Sequence, residues 1–171
     1  MADSVSEMAT QIERRVGGKV GNFSTNKPGR TNLTNIVSPN SRSRFVMPAS
    51  FFIGNDKTIK LRIWGTRSGP GNKTIRFGVL TDKSFDKYQE LHAISLNASK
   101  GDYYLEIVIT AISRHAQSIH SSYITNSGVA TLTNSFSAVS FSADRIFRIY
   151  GETTSAKATL TVSRYEMFVC G

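Results

Sequence analysis

The chain has 171 residues, enough for one domain or for one domain with an extended arm. Its 21 Lys and Arg against 12 Asp and Glu give a formal net charge of +9 and a pI near 9.9, which favours acidic or polyanionic partners and says nothing of fold. The single cysteine, Cys170, excludes an intrachain disulfide and any metal site built on paired thiolates.

The N-terminal stretch MADSVSEMATQIERR lacks a basic segment followed by an apolar run. No stretch reaches the roughly 18 apolar residues of a membrane span, so the expectation is a soluble chain made in the cytoplasm. N-x-S/T triplets at Asn22, Asn32, Asn72 and Asn97 read as a product of a composition rich in Asn, Ser and Thr. Residues 4 to 16 place Val5, Met8, Ile12 and Val16 at three- and four-residue steps, with Ser4 three before Glu7 as a capping box. This pattern predicts one short amphipathic helix, ended by Gly17 and Gly18. A helix of about three turns is marginal alone, so its apolar stripe needs either its own domain or a neighbouring subunit.

The next segment, KVGNFSTNKPGRTN, has the Gly, Pro, Asn and Ser content of an extended arm without a core. Residues 1–44 are therefore expected to form an N-terminal arm, and residues 45–171 a β-sandwich. The arm's apolar anchors, Val5, Met8, Ile12, Val16, Phe23, Leu33 and Ile36, are candidates for grooves of neighbouring subunits. Arg14, Arg15, Lys27 and Arg30 would pair with acidic groups there. Too little apolar surface lies between Gly17 and Arg44 to offset the roughly 1 to 2 kcal/mol of backbone entropy lost per ordered residue, so ordering is expected to come from a partner.

Beyond Leu33 the period changes to two. Ile59, Leu61 and Ile63 alternate with Lys60, Arg62 and Trp64; after an SGPGN break, Ile75, Phe77 and Val79 alternate with Arg76 and Gly78. Lys60, Arg62, Trp64 and Arg76 then form an exposed basic and aromatic sheet face. YYLEIVITAIS keeps Leu105, Ile107, Ile109 and Ala111 in step, and DRIFRIYG opposes Ile146, Arg148 and Tyr150 to Phe147 and Ile149. In KATLTVSRYEMFV, Leu160 and Val162 share one parity while Tyr165, Met167 and Val169 share the other, which predicts a β-bulge near Ser163 and Arg164. Roughly eight short strands with turn signals between them predict an all-β antiparallel sandwich, jelly-roll-like first and immunoglobulin-like second.

Catalytic and metal signatures are sparse. His115 and His120 are five apart, a spacing that sends them to opposite faces of a strand, and His92 stands alone as a surface or hydrogen-bonded histidine. Asp82 and Asp86 alternate with Lys83 and Lys87, which would oppose a divalent cation. The sequence contains no P-loop, no dinucleotide-binding glycine motif and no nucleophile elbow, so neither an enzyme nor a cofactor is expected. Nucleic acid is the partner class that the charge raises: Arg14, Arg15, Lys19, Lys27, Arg30, Arg42 and Arg44 could meet phosphates, with Trp64 as a stacking platform. Those cations are scattered and interleaved with Glu7 and Glu13, unlike the dense basic blocks of genome-binding arms.

The segments TIKLRIWGTRSGPGNKTIRFGVL, DYYLEIVITAISR and TLTNSFSAVSFSADRIFRIYGETTSAKATLTVSRYEMFV resemble, from Asp56 to Val169, a β-sandwich module of tailed-bacteriophage virion proteins. The resemblance implies a non-enzymatic virion structural protein: a capsid decoration or cement protein, commonly a homotrimer, with the major capsid protein or other virion subunits as partners. A small icosahedral coat protein contacting the genome through its arm is one alternative. A receptor- or glycan-binding knob is another, with Trp64, Tyr103, Tyr104 and Tyr123 as its aromatic candidates. No fibre shaft is present, which favours the cement reading over a fibre.

Overall fold

Thr58–Ser68 buries every second side chain: Ile59, Leu61 and Ile63 are wholly inside, while Lys60, Arg62 and Trp64 are only half covered. Such a period is what a strand with one wet face produces. The same rule recurs through the residues that the computed structural model describes, namely 13–16, 19–25, 29–35, 46–49, 57–80, 87–96, 100–125 and 130–170. They hold β1 (Glu13–Val16), β2 (Lys19–Thr25), β3 (Gly29–Asn35), β4 (Val46–Met47), β5 (Thr58–Ser68) and β6 (Lys73–Leu80). After these come β7 (Tyr88–Ser95), β8 (Gly101–Ser113), β9 (Ala116–Thr125), β10 (Ala130–Ser137), β11 (Arg145–Thr153) and β12 (Thr159–Cys170).

The strands form two antiparallel sheets. One runs β1-β12-β5-β8-β9-β10, with β2 following β1 along the same side of β12; the other runs β3-β11-β6-β7, with β4 following β3 along β11. Inward residues of both sheets make one core, including Leu61, Ile107 and Met167 from the first and Phe77, Phe147 and Ile149 from the second. The expectation of an all-β, jelly-roll-like sandwich holds.

The chain changes sheet at the SGPGN break. β5 belongs to the first sheet and β6 to the second, so the two are not a hairpin. Gly69 and Gly71 take positive φ of 74° and 81° to make this crossover, a conformation that side chains resist. The fully buried Lys73 then ties it down, donating from Nζ to the carbonyls of Gly69 at 2.5 Å and Gly71 at 3.0 Å.

The bulge expected in the last strand is present. Register shifts between Val162 and Arg164 against both β5 and β2, which leaves Ser163 unpaired and switches the buried parity from Leu160 and Val162 to Tyr165 and Met167. Close to the bulge, the hydroxyl of the buried Tyr103 donates to the Thr161 carbonyl at 2.7 Å. Gly65 sits at this joint, and a Cβ there would collide with that carbonyl and hydroxyl.

Two expectations for the N-terminal part need correction. Glu13–Val16, expected as the last turn of a helix, is strand β1 and pairs with Met167–Cys170; the rest of the expected helix, residues 4–12, lies outside the described residues. An isolated short helix has little to stabilise it, whereas the side of β12 offers those residues a ladder of backbone hydrogen bonds. Likewise β2 and β3, expected as a coreless arm ordered by a partner, extend this chain's own sheets on β12 and β11. Main-chain pairing does not require apolar side chains, so the polar sequence concealed it.

Phe147 stacks on Phe77 at 5.3 Å between ring centroids and meets Phe141 at 6.2 Å in the centre of the core. Phe147→Ala is expected to lower the unfolding free energy by about 3 to 5 kcal/mol, read as a fall in the urea midpoint with little change in slope.

Candidate functional site

The outer face of the first sheet carries Lys60, Arg62 and Trp64 on β5, opposite Glu106 and Tyr104 on β8 and Phe168, Glu166 and Arg164 on β12. Arg62 donates from Nε to Glu106 at 2.9 Å and lies over the Phe168 ring. Arg164 pairs with Glu166 and covers Trp64, whose ring also packs against Tyr104 at 5.1 Å. The Glu106 hydrogen bond raises the Arg62 pKa. Partial burial works to raise Glu106, yet Arg62 and the Tyr104 hydroxyl together hold it below the usual carboxylate value. Burial, then the Glu106 charge, pushes Tyr104 up. This face therefore combines one cross-strand ion pair, Arg62 with Glu106, one pair within β12, Arg164 with Glu166, and ring contacts.

Arg76, expected on that same face, lies on the opposite side of the molecule because β6 is in the other sheet. It bridges two carboxylates there, Glu152 at 2.7 Å and Glu90 at 2.8 Å. Tyr88 and Tyr150 meet edge to face nearby, and Arg148 lies over Tyr150. The expected single basic face is thus two separate faces, on each of which glutamates engage arginines.

The other expected residues are dispersed. Arg14, Arg15 and Val16 are on β1, Phe23 on β2, and Arg30 and Leu33 on β3; Val5, Met8, Ile12, Lys27 and Ile36 lie outside the described residues. Of the aromatic candidates, Trp64 and Tyr104 share the first sheet's outer face. Tyr103 points into the core and is 3% exposed, and half-buried Tyr123 packs against that core. Burial raises the Tyr103 hydroxyl far above its ordinary value, so it remains a neutral donor.

His92 is buried on β7 and reaches across the interior to the first sheet. Its Nε2 meets Ser121 Oγ on β9 at 2.8 Å and its Nδ1 meets Ser135 Oγ on β10 at 3.0 Å. Both ring nitrogens are satisfied by hydroxyls, so the imidazole ties the two sheets together at one side of the sandwich. Burial lowers its pKa, with the Glu90 charge working in the other direction.

Beside this tie is a region that alternation did not reveal. From His115 to Ala143 the sequence contains no Asp, Glu, Lys or Arg, and this stretch builds β9, β10 and the turn after them. On its outer face Leu132 is 80% and Phe136 79% exposed, and Ile124 is partly exposed. Asn134 lies between Leu132 and Phe136 and meets His120 Nδ1 at 2.7 Å. A groove of about 380 Å³ runs along the same side, lined by Gln89, Glu90 and Leu91 of β7 and by Phe136, Ser137 and Val139. The absence of charge over so long a stretch was the signal available in the sequence.

No protein-family model and no curated protein matches the chain. Solved structures do match it. A Lotus tetragonolobus seed lectin superposes with a TM-score of 0.54 at 10% identity, covering 93% of this chain and 94% of its own. A PL-14 alginate lyase from Aplysia kurodai gives 0.50 at 8% identity, covering 85% and 81%. What they share with this chain is the fold. One of these neighbours is a carbohydrate-binding protein and the other an enzyme, so function has to be argued from this chain's own surfaces.

Acid should loosen the sandwich in two separable steps. The folded-state pKa of His92 lies below the ordinary 6.5, so the unfolded chain takes up that proton first and stability falls as pH drops through 6.5. The folded-state pKa of Glu106 is depressed, so its contribution is present above 4.5 and is lost as pH falls through the lower folded value. Urea titrations from pH 8 to 3 should show the first step vanish in His92→Gln and the second shrink in Glu106→Gln.

Proposed function

We propose that this chain is a non-enzymatic structural subunit of a virus particle, a decoration protein that seats on a preformed shell, and that it attaches through the β9–β10 face. One contrast carries the reading. Arg62, Arg76 and Arg164 on the outer faces are engaged by glutamates, whereas Leu132 and Phe136 stand exposed on a strand pair without ionised side chains of its own. Exposed apolar groups on a strand at the side of a sheet are characteristic of a surface that another protein covers. Repetition over a shell multiplies a contact that is modest in a single copy. The phage-module resemblance supports the virion setting, and the cationic faces contribute less than the net charge implies because Arg62, Arg76 and Arg164 are already paired.

A glycan-binding role is the second reading. The lectin-like fold supports it, as does the make-up of the same face, where Phe136 could stack on a sugar ring and Asn134, His120 and Ser118 could hydrogen-bond its hydroxyls.

Pelleting with the particle from which the gene derives separates these readings. The decoration role predicts that the purified chain forms no closed shell alone, pellets with the particle, and loses at least tenfold in affinity on Phe136→Asp while Arg62→Gln changes it little. Closed shells containing nucleic acid would replace this role with the coat-protein role. Glycan-array binding that Phe136→Asp abolishes, without pelleting, would replace it with the lectin role.

A further inference from the structure

We propose that β10 is a homotypic edge: a second copy of this chain adds its own β10 antiparallel about a twofold axis, joining two first sheets into one continuous sheet. The proposal deepens the assembly reading and rests on it for biological purpose, but its geometry is a property of the isolated chain.

An open strand edge exposes unpaired N–H and C=O groups, and natural sheets guard such edges with charge, proline, bulges or very short strands. The other edge strands among the described residues carry such guards. β1 and β2 bear Glu13, Arg14, Arg15 and Lys19, and β3 bears Arg30 and meets a register shift at Ile149 and Tyr150. β4 has two residues, and β7 bears Glu90 and pairs with β6 through a shift at Phe77 and Gly78. β10 has none of them. Its eight residues, ATLTNSFS, pair with Gln117–Ile124 of β9 without interruption and contain no charge and no proline.

The occupant follows from charge and register. Two copies of a chain of net charge +9 meet with least repulsion where cations are absent, and β10 lies in the His115–Ala143 stretch that carries no charge, with Glu90 of β7 across the groove as its ionised neighbour. The strand is also self-complementary. With Asn134 opposite Asn134 on the axis, Leu132 of each copy falls opposite Phe136 of the other on the outer face, and Thr133 falls opposite Ser135 on the inner face. Both exposed apolar groups are then covered twice over, and no ionised group lies opposite another. A trimer would have to use a different surface, because this register is twofold.

One strand per copy buries less than the roughly 1,200 Å² of a standard stable interface, so a concentration-dependent dimer is expected in solution. Sedimentation equilibrium of the full chain should show it, and Asn134→Lys, which sets two like charges face to face on the axis, should weaken it by roughly tenfold or more. Cβ atoms of directly opposed residues lie about 4.5 to 5.5 Å apart, close enough for a disulfide after small adjustment. Asn134→Cys should therefore cross-link to itself under mild oxidation faster than the wild-type chain with its lone Cys170. Leu132→Cys and Phe136→Cys should each stay uncross-linked alone yet join when mixed. All three positions are on the exposed face, and circular dichroism checks that each variant keeps the wild-type fold. A chain monomeric up to about 1 mM would overturn the proposal, as would an Asn134→Cys variant that cross-links no faster than wild type. If the chain stays monomeric while Phe136→Asp still abolishes pelleting with particles, the edge takes a different protein; self-pairing then fails and the attachment reading stands.

Discussion

β5 is the strand on which the rest of the molecule is set. It lies between β8 and β12 and pairs with them along nearly its whole length. Its inward Ile59, Leu61 and Ile63 have no exposure at all, so it cannot leave the sheet without opening the core on both sides. Because side chains alternate strictly, seating Ile59, Leu61 and Ile63 inward obliges Lys60, Arg62 and Trp64 outward. The outer charges then have no freedom of place, and the neighbouring strands answer them with Glu106 and Glu166. What looks like a basic face along one strand has its arginines paired with glutamates once three strands lie side by side.

The same constraint accounts for the joint at the end of β5. Next to the Ser163 bulge in β12, Tyr103 of β8 donates to the Thr161 carbonyl, and the absence of a side chain at Gly65 leaves room for both. Three strands thus meet at a single hydrogen bond.

Much of this was legible in the chain itself. The alternation marked the inward residues of β5 and β6 and those from Leu105 to Ala111 on β8, and in β11 it marked Phe147 and Ile149 but not Ile146, which is buried as well; the change of parity after Val162 located the bulge, because burial on one face leaves a direct trace in residue order. Other features left no such trace. The pairing of Arg62 with Glu106 and of Arg76 with Glu152 joins residues 44 and 76 positions apart, which only the topology brings together. The placement of β5 and β6 in different sheets depends on how the chain crosses at Gly69 and Gly71, and a glycine-rich break reads the same for a hairpin as for a crossover. β1, β2 and β3 were read as an arm because their contribution is main-chain pairing, which needs no apolar period. β9 and β10 were passed over because polar residues hold many of their inward positions, Gln117 and Ser121 on β9 and Thr133, Ser135 and Ser137 on β10, although the lack of charge there was visible throughout.

The order of the strands also bears on how the molecule is made. β11 and β12 are late in the chain yet lie inside their sheets, β11 between β3 and β6 and β12 between β1 and β5. Until they emerge during synthesis, β5 and β6 each lack one neighbour and their apolar faces remain uncovered. The hairpins β6–β7, β8–β9 and β9–β10 can close locally, but both sheets wait for the final strands, so the core is sealed in one late event with large loop-closure entropy. The nascent chain therefore passes through an interval in which two apolar strands are open to wrong partners, a natural point for chaperone capture.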